Sequence, residues 1–92
     1  MSDRTRAHVY VTGTVQGVFF RATTRDRARE IGVDGWVKNR ADGRVEAVFE
    51  GAPGDVESMV DFCHEGPPAA TVEDVEVTRE EPQGLGGFEI EY

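Results

Sequence analysis

Cysteine is nearly missing from this chain: Cys63 is the only one in 92 residues. A lone thiol excludes an internal disulfide and any metal site built from several cysteines, and a reducing interior is the expected home. Lysine is almost as scarce, with Lys38 alone beside nine arginines. No apolar run is long enough to span a bilayer, and the start lacks the charged-then-apolar pattern of a signal segment. A soluble, cytoplasmic protein with no membrane partner is expected. The two histidines, His8 and His64, form no metal-binding cluster with Cys63 and the carboxylates, so neither a metal nor a cofactor is expected.

The length suits one small domain over residues 1–92 with a modest core. Net charge is −8, and it is unevenly spread. Residues 1–44 hold nine basic and five acidic side chains (+4), and residues 45–92 hold one basic, Arg79, and thirteen acidic (−12). The basic half suits a small anionic ligand. The acidic half opposes a long polyanion lying across the surface. Few lysines among many carboxylates resemble proteins adapted to high salt; an ordinary acidic protein is the alternative.

The strongest local pattern is Gly13-Thr14-Val15-Gln16-Gly17-Val18-Phe19-Phe20-Arg21. Before it, residues 6–12 alternate, with Ala7, Val9 and Val11 on one face and His8, Tyr10 and Thr12 on the other, as a half-buried strand does. After it, Phe20, Thr24, Ala28 and Ile31 recur at helical spacing over residues 21–32. A loop with two glycines thus joins a strand to a helix and delivers an arginine to the helix start. Its N–H groups can turn inward, helix N-termini favour anions, and a guanidinium grips phosphate with a planar fork. These features predict a phosphate cradle formed by residues 14–21. Arg25, Arg27 and Arg29 read as a solvated helix face and are left out of it.

Farther on, residues 35–39 and 44–50 read as strands joined at the Ala41-Asp42-Gly43 turn. Val56, Met59, Val60 and Cys63 make the apolar stripe of a helix over 54–65. Residues 70–79 read as a fourth strand with Val75 and Val77 facing inward, and residues 88–92 as a short fifth. The order β-α-β-β-α-β plus a short strand predicts a ferredoxin-like α+β sandwich, an antiparallel sheet with both helices on one face. The right-handed crossover then places the carboxyl ends of the first two strands at one sheet edge. Cradle and Asn39 meet there, about 10 Å apart if the third strand lies between them.

The cradle motif and Gly35-Trp36-Val37-Lys38-Asn39-Arg40-Ala41-Asp42-Gly43-Arg44-Val45, with Gly51 beyond it, resemble the two signatures of the acylphosphatase family. The likeness covers essentially the whole chain. It implies hydrolysis of acyl phosphates to a carboxylate and inorganic phosphate. It also implies that Arg21 binds phosphate together with Val15, Gln16, Gly17, Val18, Phe19 and Phe20, and that Asn39 positions the attacking water. A small-molecule acyl phosphate is then the substrate, no nucleic acid is bound, and a monomer is expected. Two other readings stay open. One is a non-catalytic acylphosphatase-like binding module. The other is an RNA-binding domain of the same sandwich type, for which Tyr10 is thin support.

Overall fold

Alternation sorts β1 (Thr5–Thr14) into two faces: Ala7, Val9 and Val11 are buried under the helices, while His8 and Tyr10 lie half-buried on the open face. The computed structural model describes residues 3–92. The remaining elements are α1 (Phe20–Ile31), β2 (Asp34–Asn39), β3 (Val45–Gly51), α2 (Pro53–Glu65), β4 (Thr71–Glu80) and β5 (Phe88–Glu91). Every element expected from the sequence is present, and the fold is the ferredoxin-like α+β sandwich.

The sheet order is β4-β1-β3-β2-β5. β3 pairs antiparallel with both β1 and β2, so the latter two point the same way and finish at one edge. The sheet is not wholly antiparallel, because β5 pairs parallel with β2. The cause is the path of the chain. Residues 81–87 carry it from the end of β4, at one side of the sheet, to the start of β2, at the other. β5 therefore sets out from the same end as its neighbour.

Glu50 catches this crossing midway. Its carboxylate, fully buried, accepts from the backbone N–H groups of Gln83 (2.8 Å), Gly84 (3.1 Å) and Leu85 (3.0 Å) and pairs with Arg6 at 2.6 Å. Burial alone pushes the Glu50 carboxyl up. The Gln83 N–H, the Arg6 guanidinium and the Leu85 N–H outweigh it and leave the group below its ordinary range.

The core lies between sheet and helices. Phe49 stacks on Phe88 at 5.7 Å, and Phe20 leans on Phe62 at 5.8 Å. Phe20, Thr24 and Ala28 face inward from α1, and Val56, Met59, Val60 and Cys63 from α2, as the spacing predicts. Val75 and Val77 are only half-buried, because β4 is an edge strand. Gly35 is forced by close packing: at φ +143, a Cβ there would sit 1.8 Å from the Val48 carbonyl oxygen. No helix among the described residues is long and apolar enough to cross a membrane.

Candidate active site

The cleft at the carboxyl edge of β1, β2 and β5 has a volume of about 410 Å³, within the range that holds small ligands. Its floor is the loop between β1 and α1, where Val15, Gly17 and Phe19 lead to Phe20 and Arg21. Gly17 (φ 74) and Phe19 (φ 65) both take the left-handed backbone conformation. Glycine does so freely, whereas a side chain at φ > 0 costs about 1–2 kcal/mol. Phe19 is 79% exposed, so packing of its own ring does not offset that cost. Strain of this kind concentrates at functional loops. Among the described residues, no protein acceptor takes the backbone N–H of Gln16, Gly17, Val18 or Phe19. Of these, Gly17 and Phe19 line the cleft, as do Phe20, Arg21 and Ala22, whose N–H groups at the start of α1 have no intrahelical acceptor.

Asn39 enters from the other side. It pairs with Val45 at the end of β2 and shares the helix-covered face with Val37, so pleat alternation aims it toward α1. Its Oδ1 is buried and has no hydrogen-bond partner among the described residues. Buried acceptors are rarely left unpaired, so this atom is available to a ligand or water. Arg21 lines the same cleft, and its guanidinium lies 5.4 Å from the centre of the Tyr92 ring, a cation–π contact.

Gln16 links the two sides. Its side-chain amide donates to the carbonyls of Arg40 (2.8 Å) and Arg44 (3.0 Å), at the turn just after Asn39. Asp42 braces that turn. It accepts from the Arg44 guanidinium at 2.8 and 3.0 Å and from the Arg44 N–H at 3.1 Å. These bonds, the guanidinium's first, hold its carboxyl down at about 2.

Residues 7–90 match the family model described as Acylphosphatase. The chain belongs to the acylphosphatase family. It is 64% identical over 88 residues to the acylphosphatase of Haloarcula marismortui, covering 96% of this chain and 97% of the relative. It is 63% identical over 90 residues to that of Natronomonas pharaonis, covering 98% of each. The crystal structure of the acylphosphatase from Bacillus subtilis superposes with a TM-score of 0.92 at 38% identity, over 96% of this chain and 99% of that one. The chain is an enzyme with acylphosphatase activity.

Within this acylphosphatase fold, Val15, Gly17, Phe19, Phe20, Arg21 and Asn39 line one cleft, whereas Gln16 and Val18 do not. The Gln16 side chain is taken up by the Arg40 and Arg44 carbonyls, and Val18 packs against the core. Four lining residues fall outside the predicted set, Ala22, Arg25, Ile90 and Tyr92, and the structure overturns the assignment of Arg25 to a solvated helix face. Arg25 is one helical turn beyond Arg21 and faces the same space, a relation its i, i+4 spacing could have signalled. Ile90 and Tyr92 arrive by way of β5, and no local pattern near the motif announces them.

Proposed function

We propose that Arg21 and the loop of Val15, Gln16, Gly17, Val18, Phe19 and Phe20 hold the phosphoryl group of an acyl phosphate while Asn39 orients the water that attacks it. The observation that carries this reading is the buried, unpartnered Oδ1 of Asn39 in the cleft lined by Arg21. Water has a proton to donate to that oxygen, and its own lone pair is then directed at phosphorus. The water oxygen bonds to phosphorus as the bond to the acyl oxygen breaks, and that electron pair leaves with the carboxylate. An amide cannot serve as the base, so the water proton passes to a phosphoryl oxygen and the product is hydrogen phosphate. The carboxylate belongs to an acid of pKa about 4 and departs unprotonated. No general acid or metal is needed to carry it off, and turnover is expected to be unchanged by chelators. Placement and charge stabilisation are what such a transfer asks of a protein. The Arg21 guanidinium and the loop amides supply both as charge moves onto the oxygens.

The test is kinetic, with benzoyl phosphate as substrate. Arg21→Ala is expected to lose about 100-fold or more in kcat/KM together with inhibition by phosphate. Asn39→Ala is expected to keep phosphate inhibition and lose about 100-fold in kcat. Normal turnover in Arg21→Ala, or a defect of Asn39→Ala confined to KM, defeats these roles.

The working form on this reading is a monomeric single domain in the cytoplasm, acting without nucleic acid. Tyr10, the aromatic that an RNA platform would need, lies beneath the guanidiniums of Arg40 (5.3 Å) and Arg44 (4.7 Å) and stacks on His8 at 5.0 Å. That packing favours the enzyme over a base-stacking surface.

A further inference from the structure

We propose that Arg25 is a specificity-determining side chain, which favours acyl phosphates whose acyl group carries a second negative charge. The inference rests on the placement of the phosphoryl group at Arg21. Arg21 and Arg25 are both on α1, four residues apart, and both line the cleft. Side chains at that spacing are neighbours on one helix face, about 6 Å apart along the axis. A phosphoryl group held by Arg21 therefore leaves its acyl portion beside Arg25, against the wall that Ile90 and Tyr92 provide.

The Arg25 guanidinium has little else to do. Among the described residues its only ionic partner is the adjacent Asp26, at 3.1 Å, whose side chain is 68% exposed. A pair that open to water is weak and yields readily to a carboxylate or phosphate arriving in the cleft. The other arginines of the helix differ. Arg27 lies over the Phe62 ring at 5.0 Å, and Arg29 donates to the Phe88 carbonyl at 3.0 Å. Neither lines the cleft. Among the described residues no aspartate or glutamate side chain lines it.

The experiment compares 3-carboxybenzoyl phosphate with its neutral analogue of similar shape, 3-carbamoylbenzoyl phosphate. A carboxylate in the meta position cannot cyclise onto the anhydride. The wild-type enzyme is expected to prefer the charged substrate about fivefold in kcat/KM, mainly through KM, the worth of a half-exposed ion pair. That ratio is expected to fall to about one in Arg25→Gln, to be restored largely in Arg25→Lys, and to shrink as salt rises. Equal kcat/KM values for the two substrates in the wild type, or an unchanged ratio in Arg25→Gln, overturns the proposal. Arg21→Ala is measured alongside. Loss of both substrates there supports the phosphate reading whatever the ratio does at Arg25, and full activity there defeats that reading instead.

Discussion

Replacing Gln16 by alanine tests how the two halves of the cleft are held together. The side-chain amide makes two hydrogen bonds, at 2.8 Å to the Arg40 carbonyl and 3.0 Å to the Arg44 carbonyl. A neutral hydrogen bond contributes about 0.5–1.5 kcal/mol net. Neither carbonyl is orphaned by the change, since Gly43 still donates to Arg40 and the Arg40 N–H to Arg44. The expected loss is therefore in the lower part of the combined range, about 1–2 kcal/mol. For a domain of this size that lowers Tm by roughly 5–15 °C. Activity should suffer more than stability, because the same bonds fix the loop between β1 and α1 against the strand end that carries Asn39. We expect kcat on benzoyl phosphate to fall about tenfold or more at a temperature where the variant is still folded. Gln16→Glu should be worse on both counts, since it sets a carboxylate against two carbonyl oxygens beside an anion site. Thermal unfolding followed by circular dichroism gives the first number and phosphate release the second. Wild-type Tm and wild-type kcat in Gln16→Ala would show that the loop holds its shape unaided.

Acid should loosen the fold through its paired carboxylates. Glu50, Glu46 and Glu80 all lie below their ordinary range when folded, so their contribution is complete above the unfolded value near 4.3 and is lost as pH falls through the folded ones. Glu50→Gln turns an amide N–H2 toward backbone donors and leaves Arg6 without its buried partner. A loss of about 3–5 kcal/mol in urea unfolding at pH 7 is expected, and an acid-unfolding curve identical to wild type would contradict it. Cys63 is fully buried, and burial pushes its thiol up to about 12. Iodoacetamide at pH 8 is expected to label it only in urea, and rapid labelling of the folded, active enzyme would refute that. Cys63→Ala is expected to keep kcat and lose about 1–2 kcal/mol of stability.

The parts of this molecule that could be read in advance were the local ones. Period-two alternation located β1, and the i, i+3, i+4, i+7 stripe of Val56, Met59, Val60 and Cys63 located α2, because burial imposes those periods directly. Asn39 could be matched with the cradle because a strand-helix-strand crossover runs its two strands in the same direction, which brings their carboxyl ends to one edge. What stayed hidden depends on partners distant in sequence. His8 shows no partner near it in the chain, yet its ring nitrogens lie 2.6 Å from Glu46 and 2.9 Å from Glu80. Gln16 reads as one more member of the phosphate cradle until the Arg40 and Arg44 carbonyls are brought beside it. The direction of β5 was equally invisible, since it follows from the route of a loop with no periodicity of its own.

That route has a consequence for the cleft at the far end of the sheet. Getting from β4 to β5 means passing four interstrand gaps, about 19 Å, and the eight Cα–Cα steps from Glu80 to Phe88 reach about 26–29 Å when pulled straight. There is little slack. Adding a residue or two to the segment would cost almost nothing, whereas removing two leaves six steps, about 20–22 Å, which pulls the segment almost straight and is expected to strip the Gln83, Gly84 and Leu85 N–H groups from Glu50 and strain Phe88, Ile90 and Tyr92 away from their places. The length of a stretch outside the cleft thus sets where Ile90 and Tyr92 stand in its wall, and insertions and deletions in it are expected to have opposite fates.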